Sequence, residues 1–181
     1  MQNLGTKLPA FETTRLVLRP WVPSDAPELY RHASDPAVGP IAGWLPHSDV
    51  DDSLLIIQTV FAKAETYAIV LKETGLPIGS VGLLQGARGT FPLPDGELEI
   101  GYWIARPYWG HGYATEAVVP VIGHAFNDLG CRVLHGICDV ANIKSKRVLE
   151  KNGFLHWRTV AGVRDEVVGV TRDYCCMRLM P

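Results

Sequence analysis

The chain has 181 residues, of which 47% are hydrophobic and 20% charged, with a formal net charge of −2. This balance predicts one globular domain over residues 1–181, long enough to bury a core without staples, and excludes a disordered chain. It supplies no general basic field for nucleic acid, so any polyanion must be bound by a local arrangement.

The opening MQNLGTKLPAFETT lacks the charged and then apolar pattern of a signal peptide. No apolar stretch approaches the ~20 residues of a membrane span. The four cysteines, Cys131, Cys138, Cys175 and Cys176, form no C-x-x-C, and the adjacent pair would point to opposite faces of a strand. Neither a zinc site nor a disulfide framework is expected, and a reduced, cytoplasmic setting fits best.

The first predicted element is a strand over Arg15 to Trp21, ended by Pro20 and Pro23. Ser24-Asp25 offers a cap for a helix over Ala26 to Ala33. Ala37 to His47, with two prolines and two glycines, reads as a loop. Apolar Leu54, Ile57, Phe61 and Ala64 recur at helical spacing and predict a second helix from about Asp49 to Ala64. Tyr67 to Lys72 and Ile78 to Leu84 read as a hairpin, and Gln85 to Gly96 as a loop. Glu97 to Ala105 is a strand that leads directly into Trp109-Gly110-His111-Gly112-Tyr113-Ala114.

The next helix is the best patterned. Ala117, Val118, Val121, Ile122, Ala125, Phe126 and Leu129 give one apolar face, and Gly130 ends it. Pro120 inside it predicts a kink or a later start. A strand over Cys131 to Cys138, a short helix over Asn142 to Asn152 capped by Gly153, and strands near Phe154 to Ala161 and Gly169 to Leu179 complete a mixed α/β tail.

The turn at 109–114 joins a strand to a long helix. Two glycines two apart allow a tight bend with no side chain over it. The free N–H groups and the helix dipole then form an anion site suited to a phosphate or diphosphate. The alternative is a turn that only reverses the chain. No GK[ST] follows, so this is not a P-loop, and the third glycine of a dinucleotide fingerprint is absent.

With EIGYWI, then RPYWGHGYATEA, then NIKSKRVLEKNGF in this order, the chain resembles the GNAT superfamily of N-acetyltransferases. ETTRLVLRPWVPSDAPELYRHASDP resembles its RimJ/RimL-type branch, the ribosomal-protein N-acetyltransferases, and the likeness covers residues 12–180. It implies a single α/β domain with a twisted, mostly antiparallel sheet of about seven strands, a splayed parallel pair, and about four flanking helices. It implies acetyl-CoA as co-substrate, no metal, and an amine acceptor. A protein N-terminus is the acceptor this branch suggests, with a small amine as the alternative. A non-catalytic acyl-CoA sensor is the competing class. Nucleic acid and membrane are not implied, and relatives are found as monomers or dimers.

By the same resemblance, the pantetheine arm lies in the splay against the backbone of Tyr102, Trp103 and Ile104. The diphosphate lies on Trp109, Gly110, His111, Gly112, Tyr113, Ala114 and Thr115. The first position of the family's diphosphate motif departs from the broad pattern, as Trp109. Asn142 is placed against the pantetheine or a water, and also reads as an N-cap. Lys144, Arg147 and Lys151 share a helix face that either meets the 3′-phosphate, with Arg147 as the contact, or is simply solvated.

Aminolysis of a thioester needs a neutral amine, a stabilised oxyanion and a stabilised leaving thiolate. An α-amino group of pKa ~8 is far easier to neutralise at pH 7 than a lysine of pKa ~10.4, by roughly 3 kcal/mol. The resemblance makes Glu99 the base, with Glu97 the competing carboxylate and a solvent-facing glutamate the alternative. Where many relatives carry an acidic tyrosine, this chain has Leu149, so the branch suggests Ser145 as the acid. Its alternative is a hydroxyl bonded to its own helix. His111 reads as exposed and non-catalytic. His124, His135 and His156 show no pattern of partners. Trp103 and Trp109 read as packing residues, and Trp21 and Trp44 flank the loop where the acceptor is expected.

Overall fold

The computed structural model describes residues 9–62, 65–85 and 89–181. Its strands are β1 (Phe11–Glu12), β2 (Leu16–Pro20), β3 (Thr66–Leu71), β4 (Pro77–Leu84), β5 (Glu97–Ile104), β6 (Val133–Asp139), β7 (Leu155–Asp165) and β8 (Val170–Leu179). Its α-helices are α1 (Ala26–Ala33), α2 (Gly39–Ala42), α3 (Val50–Ile56), α4 (Tyr113–Asn127) and α5 (Ile143–Lys151). The strands form one sheet in the order β1-β2-β3-β4-β5-β6-β8-β7. Every neighbouring pair is antiparallel except β5 and β6.

The expected architecture is present, with an eighth strand in the two-residue β1 and a fifth helix in α2. Alternation sorts β5 into two faces. Ile100 and Ile104 bury against α4, whose Ala117, Val118, Val121 and Ala125 fill the core with Leu16, Leu18, Tyr67 and Ile69. The opposite face carries α1 and a smaller cluster of Trp21, Leu29, Ala33, Ile57, Ala68 and Val70, with Trp103 at its edge. The sheet is thus covered on both faces over its first half.

Local chemistry sets the helix ends. Asp49 caps α3 by accepting the Asp52 amide at 2.7 Å, and Asn142 caps α5 by accepting the Ser145 amide at 3.1 Å. The predicted second helix is α3 continued by a π-helical turn over Ile57–Phe61, with Ala64 outside the described residues. The stretch read as a loop contains α2, closed by Gly43 at φ 91°. Pro120 does not delay the start of α4, which begins at Tyr113 and runs through it. A missing donor removes one backbone bond, and burial of the helix's apolar face outweighs that loss.

The β5–β6 pairing decides the rest. It runs from Glu97↔Val133 to Ile100↔Gly136 and stops. β5 stays paired with β4 through Ile104, and β6 stays paired with β8 through Asp139. The two strands are therefore held apart from residues 101 and 137 onward. Leu149 of α5 packs over Gly136 at the fork; a Cβ on Gly136 would lie 2.8 Å from Leu149 Cδ1. Leu149 is fully buried, so it has little room to yield. Gly136→Val is expected to destabilise the fold by about 1–3 kcal/mol, read as a lower thermal midpoint; an unchanged midpoint would show that α5 is loosely seated.

Candidate active site

The site is the opening between β5 and β6, with the turn before α4 at one end. A 3₁₀ turn over Arg106–Tyr108 leaves β5, and Trp109 Nε1 donates to the Ile104 carbonyl at 2.6 Å. Gly110 and Gly112 take φ values of 81° and 80°, which a side chain would strain. The first helical bond of α4 runs from the Glu116 amide to the Gly112 carbonyl at 3.0 Å. The amides of Tyr113, Ala114 and Thr115 are therefore left without intrahelical acceptors at the positive end of a 15-residue helix. His111 is exposed, its ring stacked on Tyr113 with centroids 5.7 Å apart.

The N-terminal segment braces this turn, which the sequence reading did not foresee. Arg15 Nη1 donates to the His111 carbonyl at 3.0 Å, and its guanidinium lies 4.4 Å over the Tyr113 ring. Arg15 Nε donates to Glu116 at 2.7 Å, and the Arg15 amide does so at 2.8 Å. Thr13 Oγ1 adds a third donor at 2.6 Å. Partial burial pushes the Glu116 carboxyl up, but the bonds from Thr13 and Arg15 outweigh it and hold it below the usual range. The His111 carbonyl is thus taken up by Arg15, and the helix leaves the amides of residues 113 to 115 free. The only signal in sequence was the ETTR segment itself, about a hundred residues away.

The backbone of Tyr102 and Ile104 lies, by strand alternation, on the β5 edge facing the opening, where β6 offers no partner. An extended chain carrying amides would satisfy it. Across the opening stands α5. Tyr102 Oη lies 3.0 Å from both the Ser145 hydroxyl and the Ser145 carbonyl, so the two lips touch through these groups. The Ser145 hydroxyl is thus bonded to Tyr102, not to its own helix. Cys138 adjoins it: burial and the neighbouring Cys175 push that thiol up to about 12, against the hydrogen bond from Ser145. Lys144 sits 4.3 Å over the Trp109 ring and so joins α5 to the turn, while Arg147 and Lys151 are exposed.

Glu99 occupies the other face of β5. It is 4% exposed, and Thr90 holds both carboxylate oxygens, by its amide and its hydroxyl, at 2.6 Å each. Burial raises its pKa, against the two Thr90 hydrogen bonds that lower it. It is therefore buried, not the solvent-facing glutamate of the alternative. Glu97 is committed elsewhere, 2.6 Å from Nε2 of the buried His135. Beyond Glu99 on the same face, Gly101 leaves the strand bare, and a Cβ there would meet only Leu84. Trp103 follows, edge-on to Trp44 at 5.5 Å. Trp21 is instead buried, donating to Ser80 at 3.2 Å and stacked on Phe61.

The histidines have more partners than their spacing suggested. His124 lies 2.7 Å from Asp128 and 3.0 Å from Glu65, and His135 pairs with Glu97. No group of three or more metal-ligating side chains occurs among the described residues. No described helix is long and apolar enough to cross a membrane.

A bent turn of free amides, an opened parallel pair and a buried carboxylate beside it invite comparison with known proteins. Residues 15–155 match the acetyltransferase (GNAT) domain family. The chain belongs to the GNAT family. This GNAT chain is 31% identical to the uncharacterised N-acetyltransferase p20 of Bacillus licheniformis, over 90% of its own length and 85% of that protein's. It is 28% identical to the uncharacterised N-acetyltransferase YoaA of Bacillus subtilis, over 81% and 82% of the two chains. It superposes on a GNAT-family acetyltransferase from Bacillus anthracis with a TM-score of 0.78 at 17% identity, covering 95% and 98% of the two chains. The ribosomal-protein-S5-alanine acetyltransferase of Vibrio fischeri gives 0.71 at 19% identity, covering 95% and 96%. At such identities the structural likeness is one of fold.

The GNAT family uses acetyl-CoA, so the brace has a direct test. Arg15→Ala is expected to weaken coenzyme A binding by about tenfold, some 1.4 kcal/mol, in titration calorimetry. Arg15→Lys, which keeps charge but loses the planar fork, should recover little. Unchanged affinity in both variants would mean that the turn holds its shape unaided.

Proposed function

We propose that this acyltransferase moves the acetyl group of acetyl-CoA to a primary amine by direct attack within a ternary complex, with Glu99 as base. The observation that carries this reading is the buried Glu99 carboxylate, held by Thr90 and free of any cationic partner among the described residues. Its raised pKa makes it a stronger base than an ordinary glutamate. Glu99 takes a proton from the amine, directly or through water, as the new C–N bond forms and the C–S bond breaks. The electron pair of that bond goes to sulfur, where Ser145 would donate a hydrogen bond. Glu99 then gives its proton to solvent and the thiolate takes one from solvent, so the products are the amide and coenzyme A thiol.

The amides of residues 110 to 115 would hold the diphosphate, and the main chain of Tyr102 with the Ile104 amide the pantetheine arm; the Trp103 main chain faces β4 by the same alternation, and the Ile104 carbonyl is taken by Trp109. Lys144 lies over the Trp109 ring at the turn, and Arg147 is exposed on the same helix. Asn142 acts first through its cap on α5. A protein N-terminal α-amino group is the acceptor we favour. A lone carboxylate suffices for an amine of pKa ~8, and the opening segment resembles the ribosomal-protein branch.

Two measurements test the base. Glu99 must be ionised to accept a proton, so kcat should fall as pH drops through a value above the ordinary ~4.3 of glutamate, and Glu99→Gln should abolish that limb. The same substitution should cost about a hundredfold or more in kcat with coenzyme A affinity retained. The raised pKa means that the folded chain holds the proton more tightly than the unfolded chain. Ionising Glu99 therefore costs stability as pH rises from the ordinary value towards the raised one. Glu99→Gln should accordingly melt at or above wild type at pH 7. Lost stability with unchanged turnover would make Glu99 a structural residue.

A further inference from the structure

We propose that Tyr102, through its hydroxyl, is a positioning residue that aims the Ser145 hydroxyl at the departing sulfur. This rests on the transfer reading above and adds a residue to it.

Tyr102 lies in the segment of β5 that has lost its β6 partner, and Ser145 in the first turn of α5 on the far lip. Their side chains meet at 3.0 Å, and the Ser145 carbonyl is equally close to the phenol. Two strands held apart would leave a partly buried phenol with no protein partner unless α5 supplied one. Asn142 fixes that helix start by accepting the Ser145 amide at 3.1 Å, so the serine cannot drift from the contact.

Burial pushes the Tyr102 phenol above its ordinary value, with the Ser145 hydrogen bond opposing and Cys138 adding to the rise. The phenol thus keeps its proton, and neither hydroxyl is acid enough to transfer one to a thiolate. Both can only donate hydrogen bonds. The phenol has one proton to share between the Ser145 carbonyl and hydroxyl oxygen. When it lies on the hydroxyl oxygen, it fills one lone pair there and frees the serine's own proton to point into the opening. Chained hydroxyls polarise one another, so the second donor is strengthened by the first. A thiolate forming in the opening would receive that bond. Without Tyr102, the serine hydroxyl would keep the neighbouring Cys138 thiol as its side-chain partner and lose the bond that turns it to the opening.

The test is a double-mutant cycle on thiol release, with acetyl-CoA affinity measured separately. Tyr102→Phe should lower kcat by about tenfold while the dissociation constant for acetyl-CoA stays within about twofold. In the Ser145→Ala background, the same substitution should change kcat by less than about twofold, because its target is gone. An equal loss in both backgrounds, a loss carried wholly by acetyl-CoA affinity, or no loss would overturn the inference. Should Tyr102→Phe fail to fold, a ring-fluorinated tyrosine at 102 keeps the shape and is a stronger donor. It should give kcat at or above wild type, and a fall below half would count against the proposal. If wild type releases no thiol with any amine, the transfer reading itself fails and takes this inference with it.

Discussion

The molecule depends on two strands that start as a parallel pair and cannot finish as one. β4 holds β5 through Ile104, and β8 holds β6 through Asp139, while the rung at Ile100↔Gly136 is the last between β5 and β6. Outer partners win because each offers a full antiparallel ladder, so the inner edges open. An exposed backbone edge inside a protein is costly unless something pairs with it. Here Trp109 takes one carbonyl, and the phenol of Tyr102 reaches α5. The remaining main-chain groups ask for an extended ligand bearing its own amides. The turn before α4 answers the ligand's other end, with amides that no helix bond consumes.

Charge is divided across the sheet in a way that suits aminolysis. On one face stands a carboxylate that burial makes more basic, held by neutral donors instead of a cation. A cationic partner would have lowered its pKa and weakened it as a base. Glu97, two residues away, is instead taken up by a side-chain contact with His135. On the other face stand two hydroxyls and a thiol, none of which ionises readily. On the proposed reading, the opening would separate a proton acceptor from a group of hydrogen-bond donors, the polarity that breaking a C–S bond and forming a C–N bond requires.

Much of this was legible in local pattern. The α4 face, the strand before it, the glycine turn and the Asn142 cap all follow from spacing, and each sits within a residue or two of its expected place. Short-range chemistry writes those features, so a short window reads them. What was missed is long-range. Thr90 holds Glu99 from a loop, and Arg15 reaches Glu116 and His111 from the other end of the chain. The pairing of His124 with Glu65 likewise has no spacing to betray it. Leu149 was read only as standing where many relatives carry a tyrosine, and the packing on Gly136 shows why a glycine faces it. Tyr102 was read for its backbone, and its side chain proved as informative. α2 escaped because its glycines and prolines mimic a loop, although proline at the start of a helix costs nothing.

The central claim is that one opening, formed by broken strand pairing and capped by a turn of free amides, receives coenzyme A. Amide hydrogen exchange with and without coenzyme A measures this directly. The account predicts slowed exchange at residues 101 to 104 and again at 110 to 115, with β3 and β7 little changed. Slowing confined to other segments, with both of these stretches exchanging as fast as in the free protein, would contradict it.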